Sequence, residues 1–180
     1  MLQPKRIGLF FGSFNPIHTG HLIIAEYMAS RTDLEQVWFV VSPHNPLKLR
    51  STLANDFDRL HMVQMAIDDN PRLKASNIEF SLPKPSYTID TMVYLHEKYP
   101  QHQFSLIMGS DNLGSIDKWK NYELLLERYI IHVYKREVIP IDQSLIPAAD
   151  IRIYDVPMLD ISSSYIRQSM ADGLSIRYMV

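Results

Sequence analysis

The stretch I7-G8-L9-F10-F11-G12-S13-F14-N15-P16-I17-H18-T19-G20-H21 decides how this chain folds. Its apolar run, Ile7 to Phe11, stops at Gly12; small and polar residues then lead through Asn15-Pro16 to two histidines around Thr19-Gly20. From Leu22 the chain is apolar again, LIIAEYMA, with Leu22, Ala25, Glu26 and Ala29 at helical spacing. The order is buried strand, glycine-bearing loop, helix start. Thr19 is the expected N-cap, which puts His21 in the first turn and His18 just before it. Both imidazoles and the Gly12 and Ser13 amides then converge on one spot. Unpaired N–H groups and the positive end of the helix dipole favour an anion there. The segment lacks the lysine of a P-loop and the three glycines of a dinucleotide fingerprint. No third histidine or carboxylate stands nearby in sequence to complete a metal site.

Outward from this stretch, short apolar runs alternate with helical patterns. Strands are expected at 5–11, 36–42, 73–80, 103–108, 129–134 and 151–155, the third of them weaker. Helices are expected at 20–31, 55–69, 87–98 and 162–171, with short helical pieces at 113–119 and 122–128. Asn55 is a plausible cap for the second helix, whose apolar face is Phe57, Leu60, Val63 and Ile67. The third stacks Ile89, Met92, Val93 and His96, which makes His96 a structural residue. Gly173 ends the last helix. Such alternation calls for an α/β, Rossmann-like fold: a mostly parallel sheet with helices on both faces. Ligands of such sheets sit outside the carboxyl ends of the strands, so the loops 12–19, 43–54, 81–87, 109–120 and 156–163 are where chemistry belongs.

The chain's 180 residues, 46% apolar and 21% charged, suit one domain spanning 1–180. No apolar run approaches the ~20 residues of a membrane span, and the opening MLQPKRIGLFF lacks a secretory cleavage pattern. The absence of cysteine excludes disulfides, thiolate zinc sites and cysteine nucleophiles, and fits a cytoplasmic protein. A net charge of −2 without a basic stripe argues against a nucleic-acid polymer as partner. Small phosphorylated ligands need only a local positive site.

Four further groups fall on the expected loops. Ile161-Ser162-Ser163-Ser164-Tyr165-Ile166-Arg167 opens a helix with three hydroxyls and sets Arg167 one turn on, on the face of Ser163 and Ser164. Amides, hydroxyls and a guanidinium fork suit a phosphate chain; a serine cap beside a surface arginine is the alternative. Lys84-Pro85-Ser86-Tyr87-Thr88 also opens a helix and suits a carboxylate or phosphate, although taken alone plain capping, with Asp90 satisfying the dipole, accounts for it better. Gly109-Ser110-Asp111-Asn112 follows a buried strand, where Asp111 can accept ribose hydroxyls, and Trp119 either stacks on a flat ring or packs in the core. Lys48 can neutralise a triphosphate, although a lone lysine is usually just solvated. The remaining histidines, His132 among them, form no pattern.

Together these residues resemble the nucleotidyltransferase superfamily whose signature is a GxFxPxHxGH loop with a late ISSTxIR-like helix start. Gly12, Phe14, Pro16, His18, Gly20 and His21 match the first; Ile161, Ser162, Ser163, Ile166 and Arg167 match the second. Within it, SPHNPLK (42–48), DRLHMV (58–63), PSYTIDTM (85–92) and MGSDNL…W (108–119) look like the bacterial nicotinate-mononucleotide adenylyltransferases, over nearly the whole chain. Enzymes of the superfamily that act on phosphopantetheine or CTP usually lack the last two segments, and a non-catalytic nucleotide sensor would not need the histidine pair.

The resemblance implies AMP transfer from ATP to nicotinate mononucleotide. His18 and His21 would act on the α-phosphate, and Gly12, Ser13 and Phe14 would line the ATP site. Ser162, Ser163 and Arg167 would hold the β- and γ-phosphates, assisted by Lys48. Tyr87 and Thr88 would take the pyridine carboxylate, Trp119 the ring, and Asp111 the ribose. Mg²⁺ is implied with ATP, taking most of its ligands from water and phosphate.

Overall fold

β1, Arg6–Gly12, lies at the centre of a parallel sheet because its apolar residues are continuous and both faces are covered. The computed structural model describes residues 4–43, 53–136 and 149–180. β2, Gln36–Val41, pairs with β1 on one side and β4, Gln103–Gly109, on the other, with Leu9 in register with both Trp38 and Leu106. β3, Leu73–Ser76, extends the sheet beyond β2; β5, Ile131–Tyr134, and β6, Ile151–Tyr154, extend it beyond β4. The order is β3-β2-β1-β4-β5-β6, all parallel. The chain therefore steps outward from β1 to β3, then crosses back to β4. Between β1 and β4 the direction of winding reverses, and a crevice opens at their carboxyl ends.

Helices cover both faces. On one, α1 (Thr19–Arg31) and α2 (Asp56–Ala66) bury Ile24, Ala25, Met28, Leu60 and Val63 with Phe10 and Phe39. On the other, α3 (Thr88–Lys98) and α5 (Tyr122–Arg128) bury Ile89, Met92, Leu95 and Leu125 with Ile7, Leu9 and Val40. Each fully buried side chain of this kind contributes roughly 1.5–3 kcal/mol. α6, Ser163–Ala171, anchors through Ile166, and Gly173, at φ 70°, ends it in the left-handed conformation glycine favours.

Several local expectations change. The third strand stops at Ser76, and Ile78–Ser81 is a 3-10 turn that buries Ile78 and Glu79. The third helix turns its Met92–Leu95 edge inward, so Val93 and His96 are exposed and His96 is not a core residue. In α2 Phe57 is exposed, and the arginine at 59 takes the buried place beside Leu60 and Val63. The piece expected at 113–119 is α4, Ser110–Leu113, running straight on from β4, then one 3-10 turn, Ile116–Lys118, beyond Gly114. Thr19 is the first residue of α1 and not its cap. His18 is the cap, and the Thr19 hydroxyl lies near the Tyr178 and Met179 carbonyls at 3.0 Å each. Lys48 and most of the 43–54 loop lie outside the described residues.

Candidate active site

The motif's spacing follows from close packing. A Cβ on Gly12 would stand 2.7 Å from the Phe14 ring, and one on Gly20 would stand 3.0 Å from the His18 ring. Phe14, at φ 45°, buries its ring edge-on to His21, with centroids 5.1 Å apart, and against Phe10 and Phe39. The two glycines thus admit the rings that fix the two histidines. His18 and His21 stack with ring centres 3.7 Å apart. The His18 main-chain N–H donates to His21 Nδ1 at 3.2 Å, the role a glutamate plays in a capping box. With Nδ1 accepting, the neutral His21 ring carries its proton on Nε2. His18 is buried and its Nδ1 has no hydrogen-bond partner. Burial first, and the positive Arg136 second, push its pKa down to about 4, so the ring is neutral near pH 7.

The loop 12–16 is held by its carbonyls. Gly12 accepts from the Ser42 N–H at 2.9 Å, Ser13 from Arg59 Nη1, Asn15 from Arg167 Nη1 at 2.7 Å, and Pro16 from the Ser163 hydroxyl at 2.8 Å. The C=O and N–H of a trans peptide point in opposite directions. Fixing the Gly12 and Ser13 carbonyls outward therefore turns the Ser13 and Phe14 N–H groups to the other side. Two of these tethers come from α6, so the late helix start is bonded to the first loop across the sheet's end. Ser162 caps α6 by accepting from the Tyr165 N–H at 3.1 Å, and Arg167 Nη2 donates to Ser164 Oγ at 3.2 Å.

These residues line a cavity of about 440 Å³. Gly12, Ser13, Phe14, His18, His21, Ser162, Ser163 and Arg167 all face it, as expected from the sequence. So do Asn15 and Asn112, which the sequence places in the two loops without a role of their own, and Tyr134 and Arg136, which the sequence pattern did not single out. Arg136 stands two residues past the end of β5, and that placement was its available signal. Among the described residues lining the cavity there is no carboxylate. The helix starts agree: α2, α3, α4 and α5 each carry an acid in the first turn, whereas α1 and α6 carry none. α1 and α6, whose first residues or caps line the cavity, thus leave their positive ends unneutralised.

Tyr87, Thr88, Asp111 and Trp119 do not line that cavity. Phe11 lines the cavity and packs against the same buried clusters as Trp119, one of which also holds Tyr87. Asp111 neighbours Asn112 and pairs through Oδ2 with Arg136 at 3.3 Å. Tyr87 caps α3 without a side-chain bond, and Lys120 lies 4.8 Å from its ring centre while pairing with Asp90 at 2.8 Å. Ser86 Oγ, Asp111 Oδ1 and Trp119 Nε1 are buried without a hydrogen-bond partner. Buried polar atoms are seldom left without a partner. No group of three or more potential metal-ligating side chains occurs among the described residues.

A parallel sheet with an anion cavity at its winding reversal defines a nucleotide-handling enzyme, and the chain belongs to the cytidylyltransferase-like family, whose model matches residues 9–169. More particularly, it is similar to the probable nicotinate-nucleotide adenylyltransferases of Cytophaga hutchinsonii and Flavobacterium psychrophilum. The first is 53% identical over 97% of this chain and 91% of the relative; the second is 51% identical over 96% and 90%. The fold matches that of Plasmodium falciparum nicotinic acid mononucleotide adenylyltransferase complexed with NaAD, with a TM-score of 0.80 at 22% identity over 96% of this chain and 87% of that one. No described helix is long and apolar enough to cross a membrane.

Proposed function

We infer that the protein is a nicotinate-nucleotide adenylyltransferase. It transfers AMP from ATP to the 5′-phosphate of nicotinate mononucleotide, giving nicotinate adenine dinucleotide and pyrophosphate for NAD synthesis. The observation that carries this reading is the pair of acid-free helix starts, α1 and α6, opening on one cavity with no carboxylate among its described lining residues, and joined by Arg167 and Ser163. A divalent cation accompanies ATP; we propose Mg²⁺, which arrives with the triphosphate and neutralises part of its charge. A cytoplasmic setting, where ATP is plentiful, suits the reaction.

An oxygen of the acceptor's 5′-phosphate attacks the α-phosphorus. The bond from that phosphorus to the bridging oxygen breaks, and pyrophosphate leaves with the electron pair. The attacking oxygen is already ionised, so no general base is required. The protein's task is to bring two anions together and to stabilise the charge that moves. His21, with its proton on Nε2, donates to the α-phosphate, and His18 donates beside it. The Ser13 and Phe14 amides, with Gly12 leaving room for them, complete that cradle. Ser162, Ser163, the α6 amides and Arg167 hold the β- and γ-phosphates, and Lys48 assists. On the acceptor side Trp119 stacks on the pyridine, the start of α3 at Tyr87 and Thr88 receives its carboxylate, and Asp111 binds the ribose.

The test is to incubate the protein with ATP, Mg²⁺ and nicotinate mononucleotide. Dinucleotide and pyrophosphate in equal amounts are expected; ATP consumption without dinucleotide would overturn the reading.

A further inference from the structure

AMP transfer uses the cavity's lining, and Arg59 is not part of it. Arg59 is nevertheless fully buried, the largest side chain so enclosed among the described residues. A buried guanidinium is rare unless every part of it is bonded, and this one binds four acceptors on three segments. Nη1 donates to the Ser13 carbonyl in the β1–α1 loop and to the Ser42 carbonyl just past β2, at 2.9 Å for the latter. Nε donates to the Ala54 carbonyl at 3.1 Å, and Nη2 to Asp56 Oδ1 at 2.7 Å. The same Ala54 donates its N–H to Asn15 Oδ1 at 3.1 Å, so the phosphate loop is tied to this segment twice.

The other oxygen of Asp56 faces Lys84 Nζ at 3.6 Å. Lys84 begins the approach to α3, where the acceptor's carboxylate is read to bind. Arg59 thus stands between the loop that holds the α-phosphate and the segment that leads to the acceptor, and touches neither substrate.

We propose that Arg59 is a positioning residue that sets the distance between the two substrates' phosphates. The proposal rests on the adenylyltransferase reading. Its geometry is specific to a guanidinium: a lysine offers three donors from one point and cannot span carbonyls on separate segments as a planar fork does. A slight misplacement of two reacting anions costs turnover far more than binding, because each half-site keeps its own contacts. Arg59 should therefore appear in kcat and only weakly in KM.

The experiment compares wild type, Arg59→Lys and Asp56→Asn under saturating ATP, Mg²⁺ and nicotinate mononucleotide. Calorimetric titration with a non-hydrolysable ATP analogue counts the folded, nucleotide-competent sites in each. For Arg59→Lys a fall in kcat of about 10²-fold per competent site is expected, with both KM values within about threefold of wild type. For Asp56→Asn, which leaves Arg59 its three carbonyls, a fall of about fivefold in kcat is expected with full site count. A loss of activity that only tracks the number of competent sites would overturn the proposal, as would a raised KM for ATP with kcat kept. Should Arg59→Lys fail to fold, Asp56→Asn decides: unchanged kcat with a full site count overturns it. Absence of activity in wild type would instead refute the functional reading itself.

Discussion

His18 and His21 lie face to face, 3.7 Å between ring centres and 28° from parallel, with the main chain of one bonded to the ring of the other. That bond fixes the tautomer of His21 and aims its donor nitrogen away from the helix. Replacing His21 by alanine removes a preorganised donor to developing charge. A fall in kcat of at least about 10²-fold is expected with the KM for ATP little changed. Steady-state kinetics at saturating mononucleotide checks this, and a loss under about fivefold would remove His21 from the transition state.

Trp119 packs against the same two buried clusters as Phe11, and its Nε1 is buried without a partner. The Trp119→Ala variant is expected to raise the KM for nicotinate mononucleotide about tenfold or more, with the KM for ATP within a factor of two, given ~1–3 kcal/mol for stacking of a heteroaromatic ring on an indole. An unchanged mononucleotide KM, with lowered thermal stability alone, would make Trp119 a core residue only.

Two histidines make the fold sensitive to acid. His132 is buried in β5, its Nδ1 3.1 Å from the Tyr154 hydroxyl, and burial pushes its pKa down to about 4, as it does for His18. The unfolded chain's histidines titrate near 6.5. Below that pH the unfolded state binds more protons than the folded one, so stability falls as pH falls from 6.5 and the slope from these groups ends near 4. Urea unfolding across this range checks the sign. His132→Asn is expected to flatten the slope, and a slope equal to wild type would mean that His132 is charged in the native protein.

The first loop and its helix were legible because their signal is local. An apolar run, a glycine, a proline turn and two histidines at a helix start rarely coincide in a segment that only caps a helix. The hydroxyls and guanidinium of Ser162–Arg167 carry the same kind of local signal. The parallel sheet followed from alternation of short strands and helices. What escaped the sequence depends on tertiary contact. Arg59 reads as a solvated residue of an amphipathic helix, although it stands four before Val63 on the buried stripe, with Asp56 three before it. His132 showed no pattern because its partner, Tyr154, is on the neighbouring strand. His96 was drawn inward by its spacing from Ile89 and Met92, but Leu95 offered the helix a better apolar edge.

The joining of two helix starts by Arg167 and Ser163, through bonds that span 152 and 147 residues, lets the two motifs face one cavity. Arg167→Lys keeps the charge but loses the fork that spans the Asn15 carbonyl and Ser164. The expected outcome is a KM for ATP raised about tenfold or more, from the loss of a charge-assisted contact worth ~1.5–3 kcal/mol. Equal ATP affinity by calorimetry would detach α6 from the triphosphate.

The central claim, AMP transfer to the acid form of the mononucleotide, is tested most directly by pyrophosphate release with nicotinate mononucleotide against nicotinamide mononucleotide at matched ATP and Mg²⁺. A kcat/KM at least about fivefold higher for the acid is expected, since a helix start favours a carboxylate by ~1 kcal/mol and Lys120, paired with Asp90, offsets that acid's charge at the start of α3. Equal values, or a preference for the amide, would contradict it.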